Sequence, residues 1–215
     1  TRTATFLKLP ILAARALAEC VGVKGRCEVV PLPAPFTVII DYAHTPDGLK
    51  NILSTVGTFA DGRVIALFGC GGDRDKTKRP RMARIAAALA DFAVLTSDNP
   101  RTEDPYAILR DAMPGLMESR TPFAVIEDRR RAIGFALSEA RSGDVIVLCG
   151  KGHETYQEIG TIKYHLDERE VVRELFAREQ RKEAGPPAGG NEHEDHHRLY
   201  SELRGIRDHG EISGP

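Results

Sequence analysis

The chain has 215 residues, 41% of them hydrophobic and 28% charged, with a formal net charge of −1. This balance gives no overall attraction to nucleic acid or to an anionic membrane. No apolar run approaches the roughly 20 residues that span a bilayer, and the first residues lack the pattern of a signal peptide. We therefore expect one large or two small domains with neither a nucleic-acid nor a membrane partner.

The cysteines indicate the redox environment. Cys20, Cys27, Cys70 and Cys149 lie far apart, and no two of them form a CxxC pair. That spacing argues against a zinc ribbon and against a disulfide framework. Free cysteines fit a reducing compartment, so we expect a cytoplasmic protein.

Short apolar runs alternate with helical patterns between residues 36 and 148. The runs are nearly continuous in apolar residues, as expected of strands covered on both faces. Strands are predicted at 36–40, 64–68, 92–96, 123–126 and 145–148, and helices at 46–59, 79–90, 105–119, 129–141 and 167–183. This alternation predicts an α/β fold, a Rossmann-like, doubly wound and mostly parallel sheet.

Two predicted helices carry a start signal. Thr45 precedes Pro46, and Asp104 precedes Pro105. In each pair a side-chain oxygen can cap the helix, and the proline suits its first turn.

The end of the sequence has a different composition. Residues 185–190 read GPPAGG, which is typical of a flexible linker, and residues 191–215 are charged with few core residues. We expect a disordered tail over 184–215. The run EHEDHH at 192–197 has metal-like spacing, but without a core to hold it rigid we interpret it as a solvated segment.

Charged loops follow four of the predicted strands. They are DYAHTP at 41–46, GCGGDRD at 69–75, DNPR at 98–101 and GKGHE at 150–154. In a doubly wound sheet, ligands bind at the carboxyl ends of the strands. Four such loops on one edge favour an active-site edge over four unrelated turns.

Taken singly, three of these loops leave alternatives open. Gly69–Gly72 could cradle a phosphate through its backbone amides, or it could be an ordinary turn, since it lacks Walker or dinucleotide spacing. The Gly-Lys-Gly of residues 150–152 is not preceded by a GxxxxGK[ST] pattern. His44 could contact a nucleotide or a metal-bound phosphate, or it could be a helix cap or a packed polar residue.

The strongest local signal is Asp98 with Arg101. An arginine pairs with carboxylates in bidentate fashion, and an aspartate binds ammonium. With Arg74 and Glu154 the edge offers two cations and two anions, which suit a zwitterionic ligand of amino-acid character better than a plain phosphate. The alternative is an internal salt-bridge network between neighbouring loops.

Four long motifs resemble the C-terminal domain of the Mur ligases, in particular of members that add meso-diaminopimelate. They are DYAHTPDGL, LFGCGGDRDKTKRP, TSDNPRTEDP and GKGHETYQ, in this order and spacing, and the resemblance covers about residues 22–180. It implies that residues 1–25 are a remnant of the preceding ATP-binding domain. Residues 26–183 would be the amino-acid-binding domain, followed by the tail 184–215.

The resemblance also implies an activity. Such ligases use ATP and magnesium to activate a carboxylate, which the amine of the incoming amino acid then attacks. The implied partners are meso-diaminopimelate, ATP and UDP-N-acetylmuramoyl-L-Ala-D-Glu, and the product is a peptidoglycan precursor. The central and N-terminal ligase domains are further implied partners, and the magnesium ligands are expected mainly there.

Site residues are carried over from matching motif positions. The implied contacts to meso-diaminopimelate are Arg74, Asp98, Asn99, Arg101, Gly150 and Glu154, and the implied nucleotide contacts are Asp41, Tyr42 and His44. In the family pattern Arg101 faces the distal carboxylate of the ligand, and Glu154 suits its distal ammonium. No catalytic residue and no metal ligand is carried over.

One departure from the family limits the expected activity. The sequence contains no GTNGKT-like P-loop, so we expect these residues alone to be inactive in ligation. A second hypothesis is a stand-alone binding or regulatory module that recruits a partner through its tail. A third is a related ligase such as one for folylpolyglutamate. The Asp98–Arg101 signature argues against it, because glutamate offers no second amine for Glu154.

Overall fold

The computed structural model describes residues 22–183. The predicted tail 184–215, with its 192–197 run, and residues 1–21 of the predicted remnant lie outside the described residues. The contacts discussed below all lie within a first compact unit that ends at Ala177.

The described part of the chain forms eight strands and five helices. The strands are β1 (Glu28–Val30), β2 (Thr37–Asp41), β3 (Val64–Cys70), β4 (Phe92–Ser97), β5 (Phe123–Val125), β6 (Val145–Cys149), β7 (Tyr156–Ile159) and β8 (Ile162–His165). The helices are α1 (Pro46–Val56), α2 (Lys78–Leu89), α3 (Pro105–Met117), α4 (Arg129–Glu139) and α5 (Glu168–Glu183). No helix of this part is long and apolar enough to cross a membrane.

The main sheet has the strand order β1-β2-β6-β3-β4-β5. Only β1 runs antiparallel to its neighbour, and the other pairings are parallel. Leu49, Met82 and Leu116, from α1, α2 and α3, belong to one buried cluster. Ile133 of α4 and Val172 of α5 belong to the other. Helices therefore cover both faces, and the predicted doubly wound, mostly parallel sheet is confirmed.

The predicted elements are present with small shifts at their ends. The helix predicted at 46–59 ends at Val56, and the strand predicted at 123–126 ends at Val125. Thr45 accepts a hydrogen bond from the backbone N–H of Gly48 at 3.1 Å, and Asp104 accepts one from Tyr106 at 3.1 Å, so both predicted caps are confirmed.

Strand β1 and the hairpin β7–β8 were not predicted. The hairpin pairs only with itself, apart from one parallel bridge between Arg101 and Ile159. Every residue of β8 is exposed, so the hairpin has no apolar run of the kind that marked the other strands.

A buried ion pair ties the two helices of one face to the ends of two central strands. The guanidinium of Arg129, which is fully buried, donates to Glu168 at 2.9 Å, to the carbonyl oxygen of Ser97 at 3.2 Å and to that of Cys149 at 2.9 Å. Burial alone would lower the pKa of Arg129, but the carboxylates of Glu168 and Asp98 reverse that effect and raise it. One charged group thus joins α4, α5, β4 and β6.

We expect Arg129→Met to lower the free energy of unfolding by about 3–5 kcal/mol, because it leaves the Glu168 carboxylate buried and unpaired. Urea unfolding measures the change. Arg130→Met is the matched control, since Arg130 pairs with Glu174 at 2.5 Å on the surface and should cost less than about 1 kcal/mol. Replacing Arg129 and Glu168 together should recover part of the loss. Equal stabilities of the two single variants would contradict the prediction.

Candidate functional site

The four predicted loops lie side by side at one edge of the sheet. They follow β2, β6, β3 and β4, which are consecutive neighbours in the strand order and run parallel. Parallel strands bring their carboxyl ends to the same edge. We call the loops 41–46, 69–75, 98–101 and 150–154 the carboxyl edge.

A fully buried lysine lies at the centre of the carboxyl edge. The ammonium of Lys151 donates to Asn99 Oδ1 and to the carbonyl oxygen of Tyr156, both at 2.8 Å. It lies 3.7 Å from Asp98 Oδ1 and 3.8 Å from Glu154 Oε2. Burial lowers the pKa of Lys151, and the charge of Asp98 opposes that shift. We call these five residues the Lys151 cluster.

Asn99 is held by bonds on both sides of its amide. Its Oδ1 accepts from Lys151 and from the backbone N–H of Glu158 at 2.9 Å. Its Nδ2 donates to Glu154 Oε2 at 2.9 Å. The side chain of this predicted contact residue therefore orients Glu154 within the protein.

Gly150 makes room for Asp98. A Cβ at Gly150 would lie 2.4 Å from Asp98 Oδ2, and its φ of +119° disfavours any L side chain. Asp98 is 7% exposed, and its carbonyl oxygen accepts from Gln157 Nε2 at 2.8 Å. Gly150 therefore contributes to the site by leaving space for the carboxylate of Asp98.

Arg101 is held between the β3 loop and the hairpin. Its Nη1 donates to the carbonyl oxygen of Gly72 at 2.8 Å, and its Nε lies 3.2 Å from Glu158 Oε2. The backbone N–H of Arg101 donates to the carbonyl oxygen of Glu158 at 3.1 Å. The side chain is 22% exposed, and Nη2 takes no part in these contacts. The structure thus contains the internal ion pair considered as an alternative, and the Arg101 side chain remains partly exposed.

The structure brings the two predicted arginines close together. A Cβ at Gly71 would lie 3.1 Å from Arg101 Nη1 and 3.9 Å from Arg74 Cγ, so both side chains flank this glycine. Arg74 is exposed. Next to it, Asp73 accepts a hydrogen bond from Thr102 Oγ1 at 2.8 Å, which joins the β3 loop to the β4 loop.

Glu103 strengthens this connection between the two loops. Its Oε1 accepts from the backbone N–H of Asp73 at 2.6 Å and from Arg79 Nη2 at 2.8 Å. Arg79 is fully buried and also donates to Asp111 at 2.7 Å. The hydrogen bond from Arg79 lowers the pKa of Glu103 to about 2.

Tyr42 and His44 of the predicted nucleotide loop form a cluster of tilted aromatic rings with His153. The ring of Tyr42 lies 4.5 Å from that of His44 and 4.9 Å from that of His153, and the guanidinium of Arg26 lies over it at 4.9 Å. His44 is exposed, and its Nδ1 is 2.8 Å from the carbonyl oxygen of Tyr42. Asp41 accepts a hydrogen bond from the backbone N–H of Cys27 at 2.7 Å.

No group of three or more His, Cys, Asp or Glu residues within 22–183 is arranged to hold a metal ion. Cys27, Cys70 and Cys149 are free thiols. Burial raises the pKa of Cys70 to about 12 and also raises that of Cys149, so neither is a thiolate near neutral pH.

Sequence reasoning missed three residues of this edge. Lys151 was considered only as part of a failed P-loop pattern, although its place two residues after a buried strand was a signal of burial. Arg129 stands in the run RRR at 129–131, which is typical of a surface helix start. Glu158 belongs to the unpredicted hairpin.

The low pKa of Glu103 should make stability depend on pH. The unfolded chain takes up this proton near pH 4.5 and the folded chain only near pH 2, so lowering the pH between these values favours unfolding. Wild type should lose up to about 1.4 kcal/mol per pH unit more than Glu103→Gln in that window. Unfolding curves at several pH values measure the difference. Glu174→Gln, at an exposed pair with Arg130, is the control, and equal slopes for wild type and Glu103→Gln would contradict the prediction.

Comparisons with known proteins identify the family of this chain. The family described as "Mur ligase, glutamate ligase domain" matches residues 25–152. A UDP-N-acetylmuramoyl-L-alanyl-D-glutamate–2,6-diaminopimelate ligase of Caldanaerobacter subterraneus subsp. tengcongensis is 50% identical over 178 residues, which are 83% of this chain and 37% of that protein. The ligase of the same name from Gloeobacter violaceus is 54% identical over 158 residues, covering 73% of this chain and 32% of that protein.

A solved structure of a ligase with this name shares the fold. It is 41% identical, with a TM-score of 0.71, over 76% of this chain and 33% of that one. The chain thus spans about a third of the length of the curated relatives it matches. The family match covers more than half of the sequence, and the chain belongs to the Mur ligase family through its glutamate ligase domain.

Proposed function

We propose that this chain is the amino-acid-binding, C-terminal part of an ATP-dependent acid–amino-acid ligase. The complete enzyme would add meso-diaminopimelate to UDP-N-acetylmuramoyl-L-Ala-D-Glu during synthesis of peptidoglycan precursors. The observation that carries the proposal is that two arginines, Arg74 and Arg101, and two carboxylates, Asp98 and Glu154, lie in loops at the carboxyl ends of adjacent parallel strands. The names of the relatives support this choice of substrate.

Each half of the site fits one kind of charged group on the ligand. The partly exposed guanidinium of Arg101, with Arg74 beside it, suits the distal carboxylate of meso-diaminopimelate. Glu154 suits the ammonium at that end, and Asp98 adds negative charge. Charge-assisted hydrogen bonds of this kind are short and strong. Lysine lacks the second carboxylate, so it would leave Arg101 unmatched, and the site would discriminate against it.

The remaining proposed ligand contacts act mainly by placing these groups. Asn99 orients Glu154, and Gly150 leaves the space that Asp98 fills. A ligand held in this way presents its other amine in one position, and fixed placement of the two reacting groups supplies much of the rate in amide-bond formation.

The loop 41–46 fits a nucleotide. Tyr42 and the exposed His44, with Arg26 beside them, offer aromatic and cationic surfaces for a base or a phosphate. Asp41 already accepts from Cys27, so it would shape the loop. ATP, when bound, supplies the phosphoryl group that activates the carboxylate of the substrate. We propose that magnesium is held mainly by residues outside 22–183.

The proposed reaction takes place in the cytoplasm. The free thiols of Cys27, Cys70 and Cys149 support a reducing compartment. The central and N-terminal ligase domains are the proposed partners, since the relatives are about three times as long as the matched region.

The 215 residues alone should not catalyse ligation, because their sequence contains no P-loop. With ATP, meso-diaminopimelate and the UDP-sugar dipeptide, we expect no phosphate release above a blank. A complete relative, assayed in parallel, controls for the substrates. Phosphate release by this chain that requires the dipeptide would contradict the prediction.

The substrate assignment is tested by calorimetry with meso-diaminopimelate and with lysine. Arg101→Ala should weaken meso-diaminopimelate binding by about 10- to 150-fold, which corresponds to the roughly 1.5–3 kcal/mol of a charged hydrogen bond, and should leave lysine binding unchanged. Arg110→Ala is the control, because Arg110 is an exposed arginine that pairs with Asp104. Equal binding of the two amino acids by wild type would contradict the assignment of meso-diaminopimelate as the substrate.

A further inference from the structure

Lys151 has no place in the contacts proposed above, yet it is fully buried beneath them. Taking an ammonium out of water costs several kcal/mol unless its partners compensate. Its partners come from three segments: the β4 loop, its own loop and β7. Such a group is expected to have a task that an apolar side chain could not perform.

The distances show how Lys151 divides its interactions. It gives its hydrogen bonds to two neutral oxygens, Asn99 Oδ1 and the carbonyl oxygen of Tyr156, at 2.8 Å. The carboxylates of Asp98 and Glu154 lie at 3.7 and 3.8 Å, beyond hydrogen-bond distance. Lys151 therefore gives these carboxylates its charge without occupying their acceptor positions. Of these oxygens, Glu154 Oε2 already accepts from Asn99 Nδ2.

The charges around Lys151 leave room for one more cation. Arg129 of α4 and Glu168 of α5 form a buried pair whose charges cancel. Asp98 and Glu154 carry two negative charges against the single positive charge of Lys151, which leaves a local charge of −1. Tyr42 also faces both carboxylates, and burial together with their charge raises its pKa, so it stays neutral.

Two carboxylates that flank the same buried position repel each other, and one of them takes up a proton unless a cation offsets the repulsion. A protonated carboxyl is a poor partner for an ammonium group. The buried cation also holds Asn99, which in turn holds Glu154. The charge and the position of the carboxylates thus depend on the same residue.

We propose that Lys151 is a positioning residue, whose buried ammonium keeps Asp98 and Glu154 ionised and in place so that they receive one ammonium group of the ligand. The identity of that ligand rests on the proposed function. The charge state of the two carboxylates does not, and it can be measured without any ligand.

The first test is an NMR titration of the Asp98 and Glu154 side-chain carboxyl carbons in the 215-residue chain. In Lys151→Met at least one of the two should titrate about 1–3 pH units higher than in wild type. Lys50→Met, at an exposed lysine of α1, should leave both unchanged, and Lys151→Arg should keep both near their wild-type values. Unchanged titration of both carboxyls in a folded Lys151→Met would overturn the proposal.

A second measurement covers the case in which Lys151→Met does not fold. The side-chain nitrogen of Lys151 in wild type, observed by ¹⁵N NMR, should show a protonated ammonium at pH 7. A neutral Lys151 at that pH would overturn the proposal, because the carboxylates would then have no compensating charge.

The third measurement separates a positioning role from a merely structural one. Wild-type binding of meso-diaminopimelate should change little between pH 6 and pH 8. In Lys151→Met it should weaken as the pH falls from 8 to 6, by up to about 10-fold for the largest expected carboxyl shift, and recover as the pH rises through the raised carboxyl titration. A uniform loss at all pH values would count against the proposal.

The outcomes separate this proposal from the proposed function. If wild type does not bind meso-diaminopimelate, the proposed function fails, and the carboxyl titration still decides the role of Lys151. If wild type binds and the titrations of the variant and wild type coincide, only the role of Lys151 fails.

Discussion

The carboxyl edge depends on one buried guanidinium. Arg129 donates to the carbonyl oxygens of Ser97 and Cys149, the last residues of β4 and β6. Asp98 and Gly150 follow directly, so the same group fixes the point from which both loops start. Its charge is offset by Glu168, and the pair is costly to break because each partner would remain buried without the other. The buried Arg129–Glu168 pair thus fixes the position of the candidate site.

The sequence predicted those parts of the fold whose burial requires a recognisable run of apolar residues. Strands β3, β4 and β6 are buried along their whole length and stood out as apolar runs, and the caps at Thr45 and Asp104 marked two helix starts. The hairpin β7–β8 pairs with itself and is at most partly buried, so its residues carry no such pattern. It nevertheless supplies Glu158 and the backbone oxygen of Tyr156 to the site.

The predicted topology gave the positions of the loops, but it could not show which side chains contact one another. Parallel strands share an edge, which is why four loops distant in sequence were expected to meet. The bond between Lys151 and Asn99 joins residues 52 positions apart, and no local pattern encodes such a pair. The sequence also posed internal salt bridges and ligand recognition as alternatives. At Arg101 the two are compatible, because the side chain pairs with Glu158 and is still 22% exposed.

The turn 98–101 sets the distance between the cationic and the anionic half of the site. Asp98 and Asn99 belong to the Lys151 cluster on one side, and two residues later Arg101 contacts Gly72 and Glu158 on the other. The backbone between them is fixed, since the carbonyl oxygen of Asn99 accepts from the N–H of Gly72 at 2.9 Å. A ligand whose charged groups are separated by a different length would lose one half of the site when it engages the other. Selectivity would then follow from the rigidity of this turn as much as from the charges it carries.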